Sequence, residues 1–266
     1  MMKSKLFSTL ILFHLFAYAE LPNGQIQALN ANYNSPTGTG TAKYINIDEF
    51  GEYRNPQLEV ENYNGTLMFS IEDKSFELDL SMLGVSDAQT IGLNNLNFSN
   101  NSKNIALNFS SAKALDDDFS FSVSNPSVDC TRTGIFDDIK TDLLSNCLKY
   151  SKLRISRLDF RSDTSEFTNL ITEEEITSSK IDLSDFKLDI NSGKFKGEVK
   201  SSMSQGLTIK VEGLSQFKVE SNQIEIKLDK AKAGIFNIKS KIFDELEKMD
   251  SDTISVREPY ITIQLK

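Results

Sequence analysis

Residues 224–236, IEIKLDKAKAGIF, decide the expected fold because two spacing patterns meet within them. Apolar side chains at Ile224, Ile226 and Leu228 alternate with charged ones, which is typical of a strand with one buried and one exposed face. From Ile235 onward the apolar residues recur at helical intervals, which predicts an amphipathic helix. The residues of that helical stripe are Ile235, Ile238, Ile242, Phe243, Leu246 and Met249.

The alternating pattern extends through most of the chain and is interrupted by turn-forming sequences, such as NYNG at 62–65 and NSG at 191–193. This combination is typical of antiparallel strands that bury one face and expose the other to water. Further alternating runs lie at 76–80, 105–109, 119–123, 186–190, 207–211 and 261–265.

Two short sequences recur in the same order and predict an internal duplication. AKA and GIF stand at 112–114 and 134–136, and they recur at 231–233 and 234–236. A second helical stripe follows the earlier GIF, and its residues are Ile135, Phe136, Ile139, Leu143, Leu144 and Leu148. The expected fold class is therefore α+β and strand-dominated, with two related units of curved antiparallel sheet, each packed on one amphipathic helix. The first unit would cover residues 20–160 and the second 161–266.

Residues 1–19 are expected to be a signal peptide. Lys3 and Lys5 precede an apolar run at 6–16, and the small residues of AYA at 17–19 form a cleavage site. The run is too short to cross ~30 Å of hydrocarbon, which takes about 20 residues. We therefore expect a periplasmic or extracellular protein that has no transmembrane segment after signal cleavage.

The composition excludes several kinds of chemistry. His14 is the only histidine, and it lies in the expected signal peptide. Serine or cysteine catalysis activated by histidine and imidazole-ligated zinc sites are thereby excluded from the mature chain. The net charge of −9 argues against nucleic-acid binding, which needs clustered basic residues. We expect no enzymatic activity, no catalytic residue, no cofactor and no metal.

Cys130 and Cys147 are expected to form a disulfide, because paired cysteines are usually oxidised outside the cytoplasm. The alternative is two free thiols, one of them a nucleophile.

Two acidic runs are interpreted as structural rather than as functional sites. Residues 116–118 lack the ligand alternation of a calcium loop and are interpreted as a solvated turn. Residues 173–175 are interpreted as a charged loop rather than as an acid–base pair.

Residues 207–265 run through paired strands, then AKAGIF at 231–236, then the helical stripe, then ISV at 254–256 and PYITI at 259–263. This order resembles the exported bacterial phospholipid-binding proteins of the LmeA type, which are similar in shape to the tubular lipid-binding (TULIP) superfamily. The resemblance implies a curved antiparallel sheet wrapped around a helix, with acyl chains held between them. It transfers no site residue to a position of this chain.

The expected function is that of an exported non-enzymatic binding protein for a lipid or another apolar ligand held between sheet and helix. The candidate lining residues are Ile235, Ile238, Ile242 and Leu246. The alternative is an envelope or surface interaction protein with a solid core and a protein partner.

Amino-terminal sequencing of the protein recovered from the cell envelope or the medium should give Glu20 as the first residue, because cleavage is expected after Ala19. Recovery of envelope protein that begins at Met1 would contradict the signal peptide.

Overall fold

A computed structural model describes residues 23–63, 66–79, 88–116, 119–131, 152–163, 166–168, 175–177, 180–247 and 254–264. Strands dominate these residues, and all of their pairings are antiparallel. Twenty strands belong to one hydrogen-bonded sheet. In chain order they are β1 (Gly24–Asn34), β2 (Thr37–Thr41), β3 (Tyr44–Ile47), β4 (Gly51–Arg54), β5 (Gln57–Tyr63), β6 (Thr66–Ile71), β7 (Lys74–Asp79), β8 (Thr90–Asn100), β9 (Asn104–Asn108), β10 (Ser111–Asp116), β11 (Phe119–Ser124), β12 (Ser127–Thr131), β13 (Lys152–Asp163), β16 (Lys180–Asn191), β17 (Lys194–Ser201), β18 (Thr208–Lys218), β19 (Gln223–Ala233), β20 (Phe236–Asn237), β21 (Ile254–Arg257) and β22 (Tyr260–Gln264).

The remaining elements are few. β14 (Glu166–Thr168) and β15 (Glu175–Thr177) form a separate hairpin. One α-helix, α1 (Lys239–Glu247), lies within the described residues, together with short 3-10 turns at Ser202–Ser204 and Val219–Ser221.

The alternation seen in the sequence corresponds to the two faces of the strands. In β11, Phe119, Phe121 and Val123 are buried while the serines between them are half-buried. In β19, Ile224 and Ile226 are likewise buried, with half-buried polar residues between them. The prediction of a strand-dominated fold is thus confirmed.

Three long strands each pair with two shorter ones along the same edge. The first half of β1 pairs with β3 and its second half with β2. The first half of β8 pairs with β10 and its second half with β9. β13 pairs in the same way, first with β12 and then with β11. The sheet is therefore divided into two halves, which meet along the middle of the long strands.

Irregularities in the strand ladders mark the line where the two halves meet. Ala28 in β1, Asn95 in β8 and Asp185 in β16 have positive φ values of 50°, 53° and 53°, and the β1–β8 and β16–β17 registers shift beside them. Such β-bulges bend a strand and interrupt its ladder of hydrogen bonds. We call these three positions the bulge row.

Side-chain oxygens accept hydrogen bonds from the backbone N–H groups of the bulge row. Ala28 donates to Asn97 Oδ1 at 3.0 Å and Asn95 donates to Asn30 Oδ1 at 3.0 Å. Further along the sheet, Asp185 donates to Asp159 Oδ1 at 2.9 Å. Three donors that a regular ladder would have paired are thereby satisfied, which makes the bend stable.

The bend brings the two halves of the sheet face to face around a first apolar core. Phe50 lies in the turn between β3 and β4, on one half, and Phe76 lies in β7, on the other half. Their rings are 5.0 Å apart in an edge-on arrangement, and Phe69 of β6 stacks on Phe76 at 5.0 Å. The first core extends from Ile26 to Phe160 along the chain. A second core, described below, lies at the carboxyl-terminal end of the sheet.

The predicted fold of two sheet units, each packed on its own helix, is wrong. β13, which lies mostly in the first predicted unit and crosses its boundary at residue 160, pairs along its length with β16 of the second unit. The backbone hydrogen bonds therefore continue through one large sheet. The described residues contain one α-helix rather than two. The first predicted helix, at 135–148, and the predicted signal peptide lie outside the described residues. Alternation identifies the faces of a strand but not the partner along its edge, and that is why the error arose.

No helix in the described ranges is long and apolar enough to cross a lipid bilayer.

The predicted duplication links AKA at 112–114, in β10, to AKA at 231–233, at the end of β19. The earlier GIF, at 134–136, lies outside the described residues. The duplication itself remains a prediction.

The bulge row should be sensitive to loss of its side-chain acceptors. Asn97→Ala removes the oxygen that accepts the Ala28 N–H, and we expect the free energy of unfolding to fall by about 1–3 kcal/mol. Asn46 is an exposed asparagine of β3 and serves as the matched control. Asn46→Ala should change stability by less than about 0.5 kcal/mol. Urea denaturation measures both, and equal effects would contradict the role of Asn97.

Candidate functional site

The carboxyl-terminal part of the sheet forms the second apolar core, with α1 packed over β19 and β21. Cross-strand pairs of isoleucine join β19 to β22, with Ile224 opposite Ile263 and Ile226 opposite Ile261. All four side chains are buried. The apolar face of α1 thus packs on this part of the sheet.

The helix begins later than its apolar spacing predicted. Asn237 Oδ1 accepts a hydrogen bond from the Lys239 N–H at 3.2 Å, as a capping side chain does at a helix start. The Ile242 N–H donates to the Ile238 carbonyl at 3.0 Å. Ile235, predicted on the helix, lies before this start in the turn between β19 and β20.

The structure brings three of the four predicted lining residues together and separates the fourth. Ile238 is buried in the second core, and Ile242 and Leu246 are half-buried against it. Ile235 is 91 % exposed. It points away from the core because Ala233 pairs with Phe236, which closes a tight turn over Gly234 and Ile235.

The interface between helix and sheet is occupied by the protein's own side chains. Phe243, at 1 % exposure, is the most buried residue of α1. Ile224 and Ala233 of β19 are completely buried in the same core. Phe243 and its neighbours thus lie in the region where a ligand was expected.

Outside this core, three large apolar residues are exposed at the end of the sheet where β18 begins and β19 ends. Ile235 is 91 %, Phe236 50 % and Leu207 38 % exposed. Leu207 lies beside the turn, since a Cβ placed on Gly234 would be 3.9 Å from Leu207 Cδ1. We call Leu207, Ile235 and Phe236 the apolar tip. The sequence signal that could have located it is the glycine that interrupts the alternation at residue 234.

The two chain segments that flank the apolar tip contain lysines but no acidic residue. Residues 199–211 and 230–243 contain six lysines and no carboxylate, in a protein with 29 basic and 38 acidic residues. Four of these lysines form salt bridges with carboxylates of neighbouring segments: Lys200–Asp185 at 2.9 Å, Lys210–Glu198 at 3.0 Å, Lys230–Glu212 at 3.2 Å and Lys239–Glu258 at 3.5 Å.

Two of these ion pairs affect the acidity of their carboxylates. The hydrogen bond from Lys210 lowers the pKa of Glu198 below its ordinary value, and the bond from Lys200 does the same to the pKa of Asp185. Lys232 is exposed and forms no salt bridge within the described part of the chain. It lies directly opposite Lys210 on the neighbouring strand. An uncompensated positive charge therefore stands beside the apolar tip.

The other residues considered from the sequence lie elsewhere. Cys130 is buried in β12 opposite Ile105, and Cys147 lies outside the described residues, so their disulfide remains a prediction. Asp116 ends β10 and Glu175 begins β15, while the rest of both acidic runs lies outside the description. Over the described residues, no group of three or more histidine, cysteine or acidic side chains is placed to hold a metal ion.

Phe243 should contribute more to stability than any exposed residue of α1. Phe243→Ala should lower the free energy of unfolding by about 3–5 kcal/mol, because it leaves a cavity between helix and sheet. Asp244 is its exposed neighbour. Asp244→Ala should change stability by no more than about 0.5 kcal/mol. Thermal and urea unfolding compare the two, and a small effect of Phe243→Ala would contradict the filled interface.

No family model, no curated protein and no solved structure matches this chain. The resemblance to exported phospholipid-binding proteins is therefore neither supported nor refuted by these comparisons.

Proposed function

We propose that this chain is an exported, non-enzymatic binding protein that acts through its outer surface rather than through its core. The observation that carries the proposal is the apolar tip, in which Ile235 is 91 % exposed beside Phe236 and Leu207. Clustered exposed apolar side chains are unfavourable in water, and they commonly mark surfaces that meet a partner. Export rests on the predicted signal peptide at 1–19.

The filled second core supports the same choice. A lipid between α1 and the sheet would have to displace Phe243, which is as buried as the centre of the core. Displacing a large buried side chain costs several kcal/mol, which the ligand would have to recover. The absence of histidine after residue 14 supports a non-enzymatic role.

One observation favours a second candidate, a protein that holds an apolar ligand at the rim of the second core. Several apolar residues pack against that core yet remain half-buried. They are Phe195, Val199, Met203, Val211, Phe217, Ile242, Leu246 and Ile254.

Native mass spectrometry of residues 20–266 separates the two candidate functions. We expect the mass of the protein alone, and a stoichiometric bound lipid would favour the second candidate.

The surface proposal predicts that the protein binds isolated envelope membranes, which contain both lipids and proteins, through the apolar tip. The double substitution Ile235→Ser and Phe236→Ser should weaken this binding about tenfold or more, because two large apolar side chains lose their burial. Co-sedimentation at increasing membrane concentration gives the bound fraction.

The matched control is Leu214→Ser. Leu214 lies in β18, away from the tip, and at 41 % exposure it resembles Leu207. This variant should bind as the wild type does. Equal binding by the tip variant and the wild type would contradict the proposal, provided that both have the same thermal midpoint.

A further inference from the structure

We propose that the surface in contact with the apolar tip is an anionic lipid bilayer, into whose headgroup region Leu207, Ile235 and Phe236 insert. This inference rests on the proposed function, because it names the partner of the same surface.

The shape of the tip fits a deformable partner. Two turns lie side by side, one at 205–207 and the other at 234–237, and every residue in both is exposed. The second turn protrudes because only Gly234 and Ile235 connect the paired residues Ala233 and Phe236. At Gly206 a Cβ would meet no atom within 4 Å, which shows how open the first turn is.

The chemistry of the two turns fits the boundary between lipid headgroups and acyl chains. Their sequences, QGL and GIFN, contain no charge and three large apolar side chains. An amphipathic surface element places such side chains about 5–10 Å into this boundary while its polar groups stay hydrated. In the first turn the N–H groups of Gln205, Gly206 and Leu207 donate to backbone carbonyls of residues 201–204. Insertion into the headgroup region therefore leaves none of these three donors unpaired.

The charges around the tip fit anionic headgroups. The segments that flank the tip, residues 199–211 and 230–243, carry six lysines and no carboxylate. Four of these lysines are paired with carboxylates of neighbouring segments, and Lys232 adds an exposed charge next to the tip. A carboxylate at this position would be repelled by the phosphates, whereas a lysine near an anionic surface strengthens binding about fivefold.

The position of Lys232 opposite Lys210 also favours an anionic partner. The two residues are directly opposite each other on neighbouring strands, where like charges are unfavourable for the fold. Glu198 neutralises Lys210 at 3.0 Å, and Lys232 keeps its charge exposed. An anionic surface would compensate a charge that the described part of the chain leaves without a salt bridge.

The test uses residues 20–266 and flotation with vesicles of pure lipid, either phosphatidylcholine alone or phosphatidylcholine mixed with phosphatidylglycerol. The wild type should float with the anionic vesicles, and less with the neutral ones. Ile235→Ser with Phe236→Ser should weaken binding about tenfold or more. Lys232→Glu should weaken binding to anionic vesicles by at least about fivefold and should make it less sensitive to salt. Leu214→Ser should leave flotation unchanged.

Two further measurements, a thermal midpoint and gel filtration, keep the outcomes distinct. A thermal midpoint for each variant shows whether it is folded, and Phe236→Ser alone replaces the double variant if that one unfolds. Binding to envelope membranes without binding to anionic vesicles would overturn the lipid partner and leave the surface proposal standing. Absence of binding to both would overturn both. A dimer in gel filtration that the tip substitutions dissociate would also overturn the lipid partner, in favour of a second copy of the chain.

Discussion

The fold depends on three backbone N–H groups that find side-chain acceptors where the sheet bends. At Ala28, Asn95 and Asp185 the strand ladder is interrupted. The hydrogen bonds of the Ala28 and Asp185 N–H groups are half-buried, and an unpaired donor there would cost about 1–3 kcal/mol, whereas the Asn95 bond is exposed. Oxygens of Asn97, Asn30 and Asp159 accept these bonds. With the donors satisfied, the long strands can bend without losing hydrogen bonds, and the apolar faces of the two halves close on each other. Phe50 and Phe76 lie on opposite sides of that bend, and the contact between their rings depends on it.

The second core is closed in a different way, by a helix instead of by the other half of the sheet. The position of that helix also determines what is exposed. Because Asn237 caps the helix at Lys239, Ile238 and Phe243 enter the core, whereas Ile235 and Phe236, just before the cap, are exposed. Gly234, at a φ of +58°, reverses the chain before the helix can begin. The arrangement that fills the core with Phe243 therefore also puts Ile235 into solvent.

The spacing of apolar residues predicted which face of a strand or helix is buried, but it did not predict which strands pair with each other. It identified the buried side of β11 and β19, and it placed Ile238, Ile242 and Leu246 against the same core. It put Ile235 on the helix, because a helical interval cannot show where the first helical hydrogen bond forms. It missed the bulge row, because Asn30 and Asn97 look like ordinary polar residues of an alternating strand. It also missed the pairing of β13 with β16, since the order of strands in a sheet depends on contacts between distant segments.

The features around the apolar tip are not needed by the fold. Ile235 contributes little to the core at 91 % exposure, and the charge of Lys232 opposite Lys210 opposes the pairing of β18 with β19. Elsewhere on the same sheet, cross-strand neighbours of opposite charge pair in the ordinary way, as Arg161 does with Asp182 at 2.9 Å. Local features that disagree with the rest of a fold tend to occur where a protein meets its partner. An exposed apolar turn and a lysine that has no salt bridge among the described residues occur here at the same end of the sheet, and contact with an anionic lipid surface would make both of them favourable.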